Sequence, residues 1–574
     1  MFDRHFGVWP KGLPHHLTPP ATTLPENLTV TARRFPEKVA IHYYGTPVTW
    51  AELERSADRL AGWLATVAGV KRGDRVLLFM QNSPQFVIGY YAILRANAVV
   101  VPVNTMSRVE ELRHIAGDTG AAAAVIGQEM LDVVMPLAVA GSGVLRHVAV
   151  AAYSDFLRVG TDLDLPEAVA AAKREVAGEG LAGEGLAGEG LADWQSVMDA
   201  GHAPPALEIG LDDWCVLPFS SGTTGRPKGC LHSHRTVGFT MFATLCWSPS
   251  GPESVSLVGL PLFHVTGMQN SMNMLVFQGS TMVMMSRWNR RTAAALIARH
   301  RVTHWRCITT MAVDLLSDPE AGQFDLSSLV AVSGGGAQMP KAVADRLHAL
   351  TGIEYIEGYG LTETIAPTHI NPYHRPKRQC GGIPIFDTDA RVVDPETLVE
   401  LEPGAVGEIV VAGPQIFLGY WNRPEETAAV FFERDGKRFF RTGDLGYYDD
   451  EGYFFLVDRL KRMINASGFK VWPAEVEAMM YEHPDIQEVC IIATPDPRRG
   501  ESVKAVIVPR AGRAPAAVEI QGWCRERMAA YKVPAVLEFA DGLPKSPTGK
   551  VMWRVLQERE RPSPPPAPPS TQAP

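Results

Sequence analysis

The segment Phe219-Ser220-Ser221-Gly222-Thr223-Thr224-Gly225-Arg226-Pro227-Lys228-Gly229 concentrates hydroxyls, glycines and a lysine behind the apolar stretch Trp214 to Pro218. Such a loop can bring backbone N–H groups and Ser/Thr donors close to a polyphosphate while Lys228 adds positive charge. A plain glycine-rich turn accounts poorly for this many hydroxyls. The pattern GxxxxGK[ST] occurs nowhere in the chain, so kinase and P-loop ATPase chemistry lose their main support. GxGxxG does occur, at Gly183-Glu184-Gly185-Leu186-Ala187-Gly188. An alanine-rich helical stretch precedes it where a dinucleotide fingerprint needs a strand, so it is set aside. Lys550, in Pro547-Thr548-Gly549-Lys550, is a compact ammonium that could stabilise negative charge developing in a closed, dry site. His264 sits in the apolar run Leu262-Phe263-His264-Val265-Thr266-Gly267, where a lone histidine is more often a hydrogen-bonded core residue than a catalyst. His232 and His234 are two apart, on opposite faces of a strand, and receive no chemistry.

These residues need a large framework. At roughly 150 residues per domain, 574 residues suggest three or four folding units. Apolar residues at 46% and charged residues at 20% are ordinary for a globular chain. A formal net charge of −9 argues against sequence-independent nucleic-acid binding and toward small-molecule partners. The seven cysteines form no CxxC pair and no cluster with histidines, which favours reduced, buried thiols over a metal site. The opening Met1-Phe2-Asp3-Arg4-His5-Phe6 lacks a basic region followed by an apolar stretch, so the expectation is a cytoplasmic protein. The apolar run from Phe86 to Val103 is broken by Arg95 and Asn97 and is read as buried helix and strand, without stable membrane insertion. Residues 28 to 150 alternate helical patterns (50–67, 84–96) with short apolar strands (75–79, 98–103), the mark of an α/β domain with a largely parallel sheet. Ala-Gly-Glu-Gly-Leu repeats three times from 177 to 191, suggesting a flexible insertion over about 172–195. A new rhythm then sets in: strand 453–457, a basic loop, helix 473–481, strands 488–493 and 502–508, and helix 517–529. The expected division is a large domain over 1–457, a small α+β domain over 458–556, and a disordered proline-rich tail over 557–574.

Taken in order, several segments resemble the adenylate-forming superfamily of acyl-CoA synthetases, aryl-CoA ligases, luciferases and peptide-synthetase adenylation domains. Besides the phosphate loop they are Pro261–His264, Ser333–Ala337, Glu357–Glu363, Gly404–Glu408, Gly419–Trp421, Arg441–Asp444, Asp458–Lys461 and Pro544–Lys550. The resemblance covers about residues 28 to 556; Gln338, Cys230 and His232 depart from its pattern. It implies an α/β fold, with a large N-terminal domain of mixed sheets plus a β-barrel-like part and a small mobile C-terminal domain. It also implies ATP, Mg²⁺ and coenzyme A. Nucleotide-site residues would be Gly335, Gly336, Ala337, Glu357, Gly358, Tyr359 (ring against adenine) and Gly360, together with the phosphate loop. The resemblance puts Thr362 on the α-phosphate and Glu363 on Mg²⁺, with Thr223 a further candidate metal ligand, Asp444 on the ribose hydroxyls and Arg459 beside it. His264 would position the acid and gate the coenzyme A path. Lys550 would be the adenylation lysine, Lys461 the hinge, and Gly468 part of the pantetheine tunnel. Adenylate would form with loss of pyrophosphate, and the thiol would then displace AMP, a better leaving group than oxide.

The expected acid pocket is walled by residues 237–246, 265–274, 334–337 and 364–367, which carry no Lys, Arg, Asp or Glu. With nothing there to meet an α-amino group or a second carboxylate, an apolar acyl chain or ring is favoured over an amino acid. The wording looks most like bacterial medium- to long-chain fatty-acid CoA ligases. Aryl or alicyclic acids, or a carrier protein as acceptor, are the alternatives, and a luciferase-like oxygenase is a third class. A homodimer and transient contact with a membrane surface are compatible with the resemblance.

Overall fold

The computed structural model describes residues 2–138, 144–176, 190–220, 227–459, 462–466, 469–496, 500–546 and 549–560. The tip of the phosphate loop (Ser221, Gly222, Thr223, Thr224, Gly225), most of the Ala-Gly-Glu-Gly-Leu repeat, Lys461, Gly468 and the tail from 561 lie outside the described residues. The chain divides into two units, one formed by Met1–Thr442 with Gly446–Leu456, the other by Gly443–Leu445 with the chain from Val457 on.

Nine elements of the first unit carry the argument: β1 (Phe219–Ser220), β2 (Lys228–Ser233), α1 (His234–Trp247), α2 (Met274–Gln278), β3 (His304–Arg306), β4 (Ala331–Gly335), β5 (Tyr355–Leu361), β6 (Ala366–Ile370) and β7 (Gly419–Tyr420). Among the described residues, one nine-stranded sheet runs from Ile383–Pro384 through β6, β5, β4 and β3 to Val255–Val258, Thr281–Met284, Val39–Tyr43 and Thr46–Thr49. Its central strands are parallel, with antiparallel strands at both ends. A second sheet has β7 at its edge, then β2, Trp214–Val216, Val99–Pro102, Arg75–Phe79, Ala123–Gly127, His147–Ala151 and Leu191–Asp193, with β1 paired to β2. A third, antiparallel sheet includes Asp389–Val393, Gly407–Ala412 and Phe431–Arg434.

The apolar run that could be mistaken for a membrane segment is a core helix followed by a core strand. Ser83 caps Pro84–Arg95 by accepting from Phe86 N at 3.1 Å, and Pro84 occupies the first turn, where no N–H is needed. That helix is buried from Pro84 to Leu94, and no helix among the described residues is long and apolar enough to cross a membrane. At the C-terminal end of the insertion expected over about 172–195, the described residues belong to the sheet and core. Leu191–Asp193 pairs in parallel with His147–Ala151, Trp194 is buried, and Lys173 Nζ lies 2.9 Å from Asp193.

In the second unit, Ile486–Asp496 and Gly500–Pro509 form a long antiparallel pair. Alternation splits their apolar residues between two layers. Val489, Ile491, Val503, Ala505 and Ile507 meet Val476, Met480 and Ile520 of the helices Pro473–Met480 and Ala517–Arg525. Cys490, Ile492, Val506 and Val508 meet Leu556 of the helix Trp553–Arg559 on the other side. A strand covered on both faces reads as a continuous apolar run, as these do.

Candidate active site

The phosphate loop leaves and re-enters the sheet at paired positions: Ser220 opposes Lys228 and Phe219 opposes Gly229. Lys228 forms an ion pair with Glu426, and its Nζ lies 5.0 Å above the Tyr420 ring. Strand β7 brings Tyr420 there by pairing with β2, Cys230 opposite Tyr420 and Leu231 opposite Gly419. The Tyr420 hydroxyl donates to Glu363 Oε1 at 2.9 Å. Burial, then the Glu363 charge, raises the Tyr420 pKa and keeps that hydroxyl a donor. The loop cation and the Glu363 carboxylate are thus linked across one aromatic ring.

Thr362 and Glu363 sit in a single turn of 3₁₀-helix, Thr362–Thr364, between β5 and β6. The carbonyl of Thr362 accepts from His232 Nε2 at 2.9 Å. Burial pushes His232 down to about 4, so the ring is neutral at physiological pH, and its carbonyl partner assigns the proton to Nε2. Phe417 N donates to Glu363 O at 2.8 Å. The turn then passes through Ile365 at φ 46° and Ala366 at φ 85°. Two consecutive side-chain-bearing residues in the left-handed region are rare, and for β-branched isoleucine the conformation is strained. Thr364 holds it from both sides, accepting from Leu361 N at 2.9 Å and donating to Ala366 O at 2.8 Å. Gly360 is required where it stands, because a Cβ there would collide with Ala366 O.

Strands β4 and β5 pair in parallel with Gly334 opposite Glu357 and Gly335 opposite Gly358. A Cβ on Gly334 would strike Cys307 O, and one on Gly335 would strike Gly358 O. Gly336 (φ +85°) and exposed Ala337 follow at the strand end. Glu357 is buried, and burial lifts it to about 8 despite a hydrogen bond from the Met339 backbone. The Tyr359 ring lies 5.6 Å from that of His369, which packs in turn on Phe454 at 4.5 Å. His264 caps the helix Val265–Met268, its Nδ1 accepting from Thr266 N at 3.4 Å.

In the second unit, Arg459 Nε lies 2.8 Å from Asp444 Oδ1, and Asp444 is buried. Asp458 accepts from Ala474 N at 3.0 Å. Arg462, partly buried, pairs with Glu477 and lies 3.8 Å from Asp458. Lys550 is held on a tight turn, Ser546 N donating to Lys550 O at 2.7 Å and Lys550 N to Ser546 Oγ at 3.2 Å. Asp444 and Arg459 are near enough to act on its charge.

Within the first unit the structure gathers Lys228, Thr362 and Glu363 about the edge formed by β2 and β7, with Tyr359 and the glycines of β4 and β5 on the adjoining sheet. Three residues escaped the sequence reading. His232 looked like one half of a strand histidine pair; its partner His234 instead opens α1 and accepts from Leu24 N at 3.4 Å. Tyr420 carried only the signal of its place in Gly419-Tyr420-Trp421. Arg306 is a buried guanidinium beside Met274, the last residue of an expected pocket segment, but on a strand outside those segments. A cavity of about 180 Å³ lined by Tyr44, Leu165 and Trp288 lies elsewhere, by the Trp305 face of β3.

The AMP-binding enzyme family matches residues 28–421, and the AMP-binding enzyme C-terminal domain matches residues 475–550. The chain is 34% identical to a long-chain-fatty-acid–CoA ligase of Bacillus subtilis (strain 168), over 96% of this chain and 97% of that one. It is also 34% identical to a feruloyl-CoA synthase of Amycolatopsis sp, over 92% and 97%. The crystal structure of ATP-bound MatB from Rhodopseudomonas palustris superposes with a TM-score of 0.79 at 28% identity, covering 94% of this chain and 99% of that one. By motif, by fold and by likeness over nearly its whole length, the chain belongs to the AMP-binding enzyme family.

Proposed function

We propose that this chain is an AMP-forming acyl-CoA synthetase that joins a carboxylic acid with an apolar body to coenzyme A. The observation that carries the reading is the architecture around β2. That strand begins at Lys228 of the phosphate loop and holds the Thr362 carbonyl through His232, while β7 beside it brings Tyr420 to Glu363. One sheet edge thereby serves both a polyphosphate loop and a Thr-Glu turn.

In the first half-reaction a carboxylate oxygen of the acid attacks the α-phosphorus of ATP, and the bond to pyrophosphate breaks. Lys228 and the loop hydroxyls hold the outer phosphates, Thr362 hydrogen-bonds the α-phosphate, and Lys550 stabilises the charge shared between carboxylate and phosphate. Tyr359 packs on adenine, and Asp444, oriented by Arg459, accepts the ribose hydroxyls. His264 lies at the acid. The carboxylate of Glu363 suits Mg²⁺, a hard cation that takes oxygen ligands. Mg²⁺ would supply charge neutralisation there. In the second half-reaction the thiol of coenzyme A attacks the acyl carbonyl, its proton is released, and AMP departs as the thioester forms.

A medium- or long-chain fatty acid is the first choice of substrate. The feruloyl-CoA synthase relative, at equal identity, supports an aryl acid as the second reading. Mass spectrometry of reactions with ATP, Mg²⁺, coenzyme A and a panel of fatty, aromatic and alicyclic acids tests both. A thioester with one preferred acid supports the proposal. Pyrophosphate release with no thioester from any acid overturns coenzyme A as acceptor and points to a carrier protein.

A further inference from the structure

Arg306 ends β3 on the face of the sheet that looks toward α1. Alternation puts His304 and Arg306 on that face and Trp305 on the other. His304 Nε2 lies 3.2 Å from Pro249 O, just past α1, whereas Trp305 stacks on Trp288 at 5.7 Å. The same face meets a helix interrupted by a π-helical turn, Gln269–Asn273, which leads into α2 and is tied to α1 by Gln269 Nε2 donating to Val237 O at 3.3 Å. Helices locally widened in this way often line functional sites. These are the segments that wall the expected acid pocket.

Arg306 is only 7% exposed. Its hydrogen bond runs from Nη2 to Met274 Sδ at 3.6 Å, and no carboxylate pairs with it among the described residues. A thioether is a weak acceptor. The other group acting on Arg306 is the Tyr373 phenol, and His304, pushed down to about 4 by burial, offers no negative charge. Arginine cannot escape the cost of burial by losing its proton, so a buried guanidinium calls for a counter-charge. Further polar atoms on this side lack a partner among the described residues: Thr244 Oγ1 on α1, Asn270 Oδ1 on the π-helical turn, and Ser256 Oγ, in register with His304. An acid pocket lined for a purely hydrocarbon chain has no use for these groups.

We propose that Arg306 determines substrate specificity by binding a second carboxylate at the far end of the acid, so that the preferred substrates are dicarboxylic acids with an apolar body between the two groups. The inference rests on the acyl-CoA synthetase reading and narrows its substrate class. A carboxylate matches the guanidinium fork with two parallel hydrogen bonds and neutralises it where water is scarce. The register sets the depth: Arg306 pairs with Ser333, two residues before Gly335, or about 7 Å down the strand from the glycines at the reacting end.

The experiment compares matched monocarboxylic and α,ω-dicarboxylic acids of short, medium and long length in thioester formation by the intact protein, Arg306→Leu and Arg306→Lys. The wild-type enzyme should favour the dicarboxylic partner by at least about tenfold in kcat/KM at its best length. Arg306→Leu should abolish or reverse that preference, and Arg306→Lys, which keeps the charge but loses the fork, should keep part of it. A wild-type ratio at or below one for every length, or a ratio unchanged in Arg306→Leu, overturns the proposal while leaving the synthetase intact. Where Arg306→Leu does not fold, Arg306→Lys decides, and an undiminished preference sinks the assignment. Thermal shift with the acids alone separates the two levels of inference. Stabilisation by dicarboxylates that Arg306→Leu loses, without thioester from any acid, upholds the arginine site and refutes the synthetase reading; no such stabilisation refutes the site.

Discussion

Single residues are where the charges of this site are set. In the proposed mechanism Lys550 offers an ammonium to the charge that develops between carboxylate and phosphate, and removing one preorganised donor of this kind costs about 10²- to 10³-fold, or about 3–4 kcal/mol of barrier. Lys550→Ala should therefore lose adenylation on that scale, measured as acid-dependent ATP–pyrophosphate exchange; undiminished exchange would remove Lys550 from the mechanism. Glu357 invites a different test, because burial raises it from 4.5 to about 8. A carboxyl whose folded pKa is raised contributes stability that is present below its unfolded pKa and lost as pH rises through the folded value. Glu357→Gln keeps an acceptor for the Met339 N–H without the ionisation. The variant should match the wild-type melting temperature near pH 5 and exceed it above pH 8, with equal curves across that range counting against a buried, neutral Glu357.

At the scale of elements, the turn between β5 and β6 concentrates strain beside the proposed metal-binding carboxylate. Ala366 at φ 85° holds a conformation natural to glycine. Ala366→Gly should raise stability by up to about 1 kcal/mol while loosening the Thr362–Glu363 turn, which would appear as a higher KM for ATP. A variant that is destabilised, with KM unchanged, would show that the strain does not serve this turn. Local elements were well marked in the sequence. The helix expected over 50–67 is Trp50–Thr66, the one over 84–96 is Pro84–Arg95, and the strand over 75–79 is Arg75–Phe79. Strand ends were less legible: the strands expected over 488–493 and 502–508 extend to Ile486–Asp496 and Gly500–Pro509. Their extra residues, such as Pro495, Asp496 and Glu501, have weak strand preference and are held by pairing across the ladder.

On the whole-molecule scale, the first unit carries a group of histidines kept neutral by burial. His5, His232, His234 and His304 are pushed down to about 4 and His369 to about 3. The unfolded chain takes up protons at these positions near pH 6.5, whereas the folded one resists until about pH 4. Stability is therefore full above pH 6.5 and falls as the pH drops from 6.5 toward 4, by up to about 3 kcal/mol for each such group. Tryptophans of this unit, Trp50, Trp194 and Trp305 among them, are buried and report its unfolding. Their fluorescence should change cooperatively between pH 6.5 and 4, and a flat signal down to pH 4 would mean that these histidines titrate freely in the folded chain.

The sequence by itself determined which segments are candidates for the chemistry, because a polyphosphate or a nucleotide would be met by contiguous runs whose glycines, hydroxyls and charges act through nearby backbone. Residues 219–229 and 357–363 are legible for that reason, as are the apolar strands of the second unit. Only the tertiary structure decided what supports them. His232 reaches the carbonyl of a residue 130 positions away, Tyr420 reaches Glu363 across 57, and Arg306 meets Met274 across 32. Each contact depends on strand register and on which layer covers which face of the sheet. A single histidine, tyrosine or arginine has no periodicity of its own by which to announce a partner so far along the chain.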